Sequence, residues 1–263
     1  MMKPIWNGSL SFGLVTIPVK LYKAVQEHVF GFTLLCATCH KPVHYSRWCN
    51  HCNKEVEWNH VLKGLEVRKG QYIAITPEAI KKLKPEKSST IDVIAFIPAD
   101  LIAPIYFEHH YYVAPASAPS EKAFFLFHQA IKSMNKVAIG KFVLRDKEYV
   151  VAIQTYENGI VLSTLNYAYE IRSMKKIPEL TAKKSKASPA ELKLAKQLIE
   201  QLSKNKFDIN DFKDNYAENL KKLIKQQSKS KGKHVKLPKE PKKIKKSHSL
   251  IDSLRDSLAE ARA

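Results

Sequence analysis

Four cysteines in the sequence form two C-x-x-C pairs that could together bind a metal ion. Nine residues separate the pairs, and each pair can present two thiolates from one tight turn. Four thiolates match the tetrahedral coordination of Zn²⁺ and leave no open position for catalysis. The sequence therefore predicts a structural zinc site, the alternative being four ordinary reduced cysteines. The expected ligands are Cys36, Cys39, Cys49 and Cys52.

The charge of the chain points to a polyanionic partner. The 263 residues include 44 basic and 25 acidic side chains, which give a net charge of +19. Residues 1–180 have a net charge of +7 and residues 181–263 a net charge of +12. Neutralising a phosphate releases counterions, so nucleic acid is favoured over a basic surface that serves only solubility. In the first part the basic residues accompany predicted strands rather than a base-reading helix, which favours contacts to the phosphate backbone.

Signatures of catalysis are scarce. The chain has eight glycines and contains none of the motifs GxxxxGK[ST], GxGxxG or GxSxG. Acidic residues such as Glu57, Asp92 and Asp100 are scattered, whereas a two-metal nuclease needs a tight carboxylate cluster. The sequence therefore favours a binding protein over an enzyme. Two alternatives remain open, a zinc-ribbon regulator that binds nucleic acid and a metal-dependent nuclease.

The elements that must position these residues are mostly strands. Between Gly8 and Val25 the apolar residues alternate in two sets of opposite parity, which predicts one long strand with a bulge or bend near Gly13. Asn158-Gly159 predicts a hairpin. Strands at roughly regular spacing favour a barrel-like sheet over a βαβ fold. The other strand-like runs are Tyr72–Thr76, Thr90–Ile97, Ile105–Val113, Val137–Leu144, Glu148–Tyr156 and Ile160–Tyr167.

Helices are predicted where capping residues precede apolar residues at helical spacing. Thr76-Pro77-Glu78 opens a short helix, and Ser120-Glu121 opens a longer one. A linker follows Pro178. Beyond it, Ser188-Pro189-Ala190-Glu191 is a capping box that starts another helix, and a further helix follows Asp211. The sequence thus predicts a helical extension behind the β-rich body.

The C-terminal residues divide into a lysine tether and a short amphipathic helix. Residues 228–248 contain nine lysines, one acidic residue and two prolines, which predicts a disordered segment that binds DNA electrostatically. Its candidate DNA-binding residues are Lys229, Lys231, Lys233, Lys236, Lys242, Lys243, Lys245 and Lys246. Residues 249–263 have an apolar stripe at helical spacing. Two alternatives explain it: the helix docks on a partner protein, or it packs against the body of its own chain. This stripe consists of Leu250, Ile251, Leu254 and Leu258.

Several runs of residues resemble the prokaryotic Ku family and follow the family's order. The most specific is IWNGSLSFGLVTIPVKLY at residues 5–22. LIDSL at residues 250–254 is similar to the family's ligase-binding tail. Further similar blocks are KGLE at 63–66, GQY at 70–72, PIYF at 104–107, YYVAP at 111–115 and AIGKFVLR at 138–145. The resemblance therefore covers nearly the whole chain.

The resemblance implies a mainly β fold with α-helices, built on a seven-stranded Ku-type β-barrel within residues 1–178. The barrel would include residues 1–75 and 135–175. An arm insertion at about residues 76–134 would close a ring around DNA in a homodimer. Residues 179–227 would be a helical C-terminal subdomain, 228–248 the tether and 249–263 the terminal helix.

The resemblance also implies a non-enzymatic function. The ring would bind double-stranded DNA ends regardless of sequence, protect and bridge breaks, and recruit the ATP-dependent DNA ligase D for non-homologous end joining. We expect no small-molecule substrate and no membrane partner. Because the chain has no long apolar run or signal-peptide core, we expect a cytoplasmic, nucleoid-associated protein. The candidate DNA-facing residues are Lys20, Lys87, Lys141, Arg145 and Lys147.

Overall fold

In the computed structural model, the N-terminal residues form a hairpin of two strands, β1 (Trp6–Phe12) and β2 (Val15–Lys23). The connecting turn is Gly13–Leu14, and φ is positive at Gly13 (+59°) but not at Leu14, as in a type II′ turn. The two sets of alternating apolar residues therefore belong to two strands. The prediction of one long bent strand is wrong, because the change of parity comes from a chain reversal and not from a bulge.

The structure describes residues 2–26, 30–83, 89–145, 147–181, 187–229 and 250–260. They belong to two compact units, Met1–Ser173 and Met174–Ala263. Every strand of the described residues lies in the first unit. None of the helices in these ranges is long and apolar enough to cross a membrane.

Two small antiparallel hairpins follow the first one along the chain. Strand β3 (Trp48–Cys49) pairs with β4 (Lys54–Glu55), and β5 (Lys63–Arg68) pairs with β6 (Gln71–Ile75). Helix α1 (Pro77–Leu83) comes next. The Ala79 amide donates to Thr76 Oγ1 over 3.2 Å, which confirms the predicted N-cap. We call residues 30–83 the hairpin segment.

A closed seven-stranded barrel forms the body of the first unit. Its further strands are β7 (Thr90–Pro98), β8 (Phe107–Pro115), β9 (Lys136–Leu144), β10 (Lys147–Tyr156) and β11 (Gly159–Leu165). The order around the barrel is β1-β2-β8-β11-β10-β9-β7. Strands β1 and β7 are parallel, and the other neighbours are antiparallel. The predicted seven-stranded barrel is confirmed.

The predicted position of the arm insertion is wrong in part. Strands β7 and β8 lie within residues 76–134 and are members of the barrel. The strands that lie outside the barrel belong instead to the hairpin segment. The physical reason is pairing, since β7 lies between β1 and β9, and β8 lies between β2 and β11, so the barrel closes through both.

The barrel core is built from alternating strand residues and one helix. Along β2 the side chains of Ile17, Val19 and Leu21 are buried, as expected for a strand with one face in a core. Helix α2 (Ala118–Ser133) packs against β2, β8, β9 and β10 and contributes Phe124, Phe127 and Ile131 to the same cluster. The helix starts earlier than predicted, because Ser117, not Ser120, is its N-cap.

The second unit is helical. Helix α3 (Pro178–Thr181) is followed by α4 (Pro189–Leu202), α5 (Asn215–Lys229) and α6 (Leu250–Glu260). The predicted capping box is present, since the Ser188 amide donates to Glu191 Oε2 over 2.6 Å and the Glu191 amide to Ser188 Oγ over 3.2 Å. These two bonds satisfy amides at the start of α4 that have no partner within the helix.

Candidate nucleic-acid interface

The hairpin segment exposes an unusual amount of apolar surface. Within residues 31–74 every residue is exposed except Cys36, Cys49 and Val56, which are half-buried. Trp58 is 72% exposed and Tyr72 67%. Leu65 and Ile73 pair across β5 and β6, so part of this apolar surface is contiguous, and contiguous apolar surface marks a site of interaction with another molecule. Other large exposed apolar residues of the segment are Phe32, Leu34, Leu35, Val43, Tyr45, Trp48, Val61, Leu62 and Val67.

The first cysteine pair lies in a tight turn of the hairpin segment. Leu35 and Pro42 form a bridge on either side of the turn, and the His40 amide donates to the Cys36 carbonyl over 2.8 Å. His40 has φ +54°. Hydrogen bonds from the backbone of Cys39 and Thr38 lower the pKa of the Cys36 thiol to about 7. Backbone amides that favour a thiolate make this turn suitable for half of a metal site.

The second cysteine pair repeats this arrangement in the β3–β4 hairpin. The Cys52 amide donates to Cys49 Sγ over 3.4 Å, and Asn53 has φ +49°, matching His40 after the first pair. The backbone hydrogen bond from Cys52 lowers the pKa of the Cys49 thiol. The side-chain hydrogen bond with Cys49 raises the pKa of the Cys52 thiol. The two pairs therefore share one local conformation.

The two pairs are not gathered into one cluster. Among the described residues, no group of three or more His, Cys, Asp or Glu side chains is arranged to hold a metal ion. Each turn fits half of a tetrahedral thiolate shell by its backbone geometry. A four-sulfur site would require the turns to close on each other.

Two of the five candidate DNA-facing residues are paired with carboxylates of their own chain. Lys141 Nζ lies 3.0 Å from Glu148 Oε1, and this hydrogen bond raises the pKa of the lysine. Lys147 Nζ lies 3.5 Å from Glu170 Oε1 and 5.0 Å from the centroid of the Tyr149 ring. A phosphate that contacts either lysine must compete with a carboxylate, which weakens its contribution to binding.

The other candidate residues occupy different environments. Lys20 lies on β2, is half-buried, and pairs with Asn7 on one side and Ala114 on the other. Arg145 is exposed in the turn between β9 and β10 and has φ +51°. Lys87 lies outside the described residues. Of the tail lysines, Lys229 ends α5, and the others, between residues 231 and 246, lie outside the described residues.

The terminal helix packs within the second unit. Helix α6 contacts α4, and its Leu258 is 8% exposed, whereas Leu250 is 64% exposed. Ile251 and Leu254 are half-buried. The apolar stripe predicted as a docking surface therefore faces, in part, another helix of the same chain.

Sequence reasoning did not identify the apolar face of the hairpin segment as an interaction surface. The signal was the alternation of apolar residues in β5 and β6, such as Leu65 with Val67 and Ile73 with Ile75. Such alternation predicts a strand with one buried face. It does not say whether the covering layer comes from the same chain, and the structure shows that these side chains are largely uncovered.

Comparison with known proteins covers the barrel, the hairpin segment and the helices. A family model described as the Ku70/Ku80 beta-barrel domain matches residues 11–194. The Non-homologous end joining protein Ku of Archaeoglobus fulgidus is 35% identical over 257 residues, which cover 98% of both chains. That of Koribacter versatilis is 36% identical, over 98% of this chain and 87% of its own. That of Bacillus subtilis is 34% identical, over 83% of this chain and 70% of its own.

Proposed function

Because the chain belongs to the prokaryotic Ku family, we propose that it binds the ends of double-stranded DNA as a ring-shaped homodimer. Members of this family are scaffolds that bind DNA ends, not catalysts, so the prediction of a binding protein holds. The process it serves is non-homologous end joining, in which the ring would protect and bridge the broken ends. We place it in the cytoplasm, in association with the nucleoid.

The single observation that supports a ring-shaped dimer is the exposed apolar surface of the hairpin segment. Its apolar side chains are exposed in one chain, and burying such surface against a second copy gains free energy at about 25 cal/mol per Å². A chain segment that leaves the barrel, pairs with its copy and returns creates a closed opening between two barrels. This opening would hold a duplex without reading its bases.

Charge accounts for the lack of sequence preference. The net charge of +19 favours phosphate contacts, and among the described candidates Lys20 and Arg145 have no carboxylate partner within the described ranges. Because phosphates are the same at every base pair, a ring held by them can slide inward from the end. Entry would still require a free end.

Linear and covalently closed circular DNA of identical sequence test this proposal. We expect linear DNA to be retained in a protein complex, because a ring can thread onto a free end, and closed circular DNA, which has no end, to remain unbound. The readout is the fraction of each DNA bound in a gel-shift assay. Cutting the circle with a restriction enzyme before mixing is the matched control and should restore retention. Equal retention of both forms would rule out a threaded ring.

We further propose that the two cysteine turns of each chain close on one structural Zn²⁺. The support is that both turns have matching backbone conformations and amide-stabilised thiols. A bound ion would act as a cross-link that orders the hairpin segment. The ligands would be Cys36, Cys39, Cys49 and Cys52.

The zinc content of the purified protein, measured by inductively coupled plasma mass spectrometry, tests this site. We expect about one ion per chain in the native protein and almost none after Cys36→Ser combined with Cys49→Ser, because a site with two thiolates removed loses most of its affinity. His51→Asn, beside the second pair, is the matched control and should keep its zinc. A native protein free of zinc after purification without chelators would refute the proposal.

We also propose that helix α6 docks on DNA ligase D. The support is its apolar stripe of Leu250, Ile251, Leu254 and Leu258. Since α6 contacts α4, docking on the ligase would compete with this internal packing.

Deleting residues 249–263 is expected to abolish stimulation of the ligase while DNA binding persists, because the tether and the barrel remain. The measurement is ligation of linear duplex by the purified ligase, with gel-shift of the same duplex alongside. Replacing Asp256, which is exposed on α6, by asparagine is a mild control that should keep stimulation. Loss of DNA binding in the deleted protein would contradict this division of roles.

A further inference from the structure

A cleft in the barrel unit has features of a small-ligand site, and Arg145, also a candidate phosphate contact of the ring, lines it. Its volume is about 640 Å³, within the range of small-molecule sites. It lies where the end of β2 meets the first half of β8 and the turn between β9 and β10. Lys23, the last residue of β2, pairs with Tyr111 of β8, and both line the cleft with Arg145 from the turn.

Two cations face this cleft. Lys23 and Arg145 both line it, and neither forms an ion pair with a carboxylate of the described ranges. The acidic residue of the lining, Glu108, is already engaged. Its Oε1 lies 3.5 Å from His109 Nε2, and its Oε2 accepts from Thr164 Oγ1 over 3.4 Å. Among the described lining residues, two cations therefore stand against one carboxylate, which leaves a net positive charge.

The hydroxyl of buried Tyr111 provides an uncharged hydrogen-bond donor. Tyr111 is 7% exposed, and its burial is the main reason why the pKa of its hydroxyl is raised. The hydroxyl thus stays protonated at neutral pH and can donate a hydrogen bond to an anion. Neighbouring His110 is held by Ser163, with 2.8 Å between Nδ1 and Oγ.

Part of the lining is apolar. Ile5, Val25 and Leu144 contribute to it, so a ligand that fills the cleft carries an uncharged, weakly polar part beside its anionic group. A free phosphate would leave most of the volume empty. A nucleoside monophosphate has both parts, a dianionic phosphate and a planar base.

We propose that this cleft binds a phosphate-bearing nucleotide, with the phosphate on Lys23 and Arg145 and the base against the apolar wall. The phosphate accepts charge-assisted hydrogen bonds from both cations. The same chemistry is offered by a free nucleotide and by the unpaired terminal nucleotide of a DNA strand. Nothing in this inference depends on ring closure.

Titration calorimetry of the full-length protein with AMP, adenosine and inorganic phosphate tests the site. We expect saturable binding of AMP, weaker binding of phosphate, and no binding of adenosine. Lys23→Gln should weaken AMP binding about tenfold, as loss of one charge-assisted hydrogen bond requires. Arg145→Asn should do the same, and asparagine tolerates the positive φ at this position. Lys132→Gln, an exposed lysine near the end of α2, is the matched control and should bind AMP like the native protein.

Competition identifies the source of the nucleotide. A single-stranded tetranucleotide with a 5′-phosphate that displaces AMP would assign the cleft to DNA ends, and one that does not would assign it to free nucleotides. Absence of AMP binding, equal binding of adenosine, or native affinity in Lys23→Gln with an unchanged melting temperature would each overturn the proposal. Discrimination between linear and circular DNA would be unaffected by any of these results, so the two proposals fail separately.

Discussion

Replacing Leu65 and Ile73 together by aspartate is expected to leave the protein monomeric and unable to retain linear DNA. The two residues pair across β5 and β6, so their side chains share one face of the hairpin. They are 59% and 55% exposed in the single chain, so carboxylates there remain hydrated in a monomer. In a homodimer interface each of the four carboxylates, two from each chain, would lose its water at a cost of about 2 kcal/mol, which together weakens the dimer roughly a millionfold.

Analytical ultracentrifugation and gel-shift of linear DNA are the measurements for this variant. Leu14→Asp is the matched control, because Leu14 is a leucine of the barrel hairpin turn that is 104% exposed. It should remain dimeric and bind DNA. Thermal unfolding should show that the barrel of the double variant is intact. A double variant that stays dimeric would show that the hairpin segment does not form the interface.

Phe142→Ala should cause a large loss of stability of the barrel. Phe142 lies on β9, is 2% exposed, and makes an edge-on contact with Trp6 at a centroid distance of 5.8 Å. Its other aromatic neighbour is Tyr149, at 6.1 Å. Removing a buried phenylalanine costs about 3–5 kcal/mol, and a domain has only about 5–15 kcal/mol of stability in total. The barrel would thus be close to unfolding at moderate temperature.

Urea unfolding followed by circular dichroism measures this loss. Phe125→Ala is the control, because Phe125 lies on the exposed side of α2 and is 46% exposed. We expect it to cost about 1 kcal/mol or less. Similar losses for the two variants would mean that the cluster around Phe142 is not the core that stabilises the barrel.

Local features of the fold, such as single strands, hairpin turns and helix caps, were predictable from the sequence. Alternation along Ile17, Val19 and Leu21 predicted a strand with one buried face, and the structure buries all three. The hairpin signal at Asn158-Gly159 was correct, although the turn consists of Glu157 and Asn158, and Gly159 starts β11. The capping box at Ser188 was also correct. Each feature depends on residues close in sequence, whose conformational preferences act without the rest of the chain.

Pairing between distant segments was decided by the tertiary structure. The sequence predicted strands at 90–97 and 105–113 but not that β7 joins β1 in parallel, which is what closes the barrel. It showed lysines at 141 and 147 but not their carboxylate partners, Glu148 and Glu170. Gly140 illustrates the reason, because an added Cβ there would lie 2.7 Å from the Asp92 carbonyl oxygen. Only the approach of a strand from elsewhere in the chain reveals why that position must be small.

The amino-acid sequence by itself determined the class of the protein, the existence of most strands and helices, and the positive charge that suits DNA. The class follows from resemblance to a known family, and the elements and the charge follow from residue type and short-range periodicity. The tertiary structure decided which strands form the barrel and that α6 contacts α4. It also left the hairpin segment uncovered. The physical reason is that burial and pairing are properties of surfaces brought together over long sequence distances, and periodicity cannot say which surface will cover another.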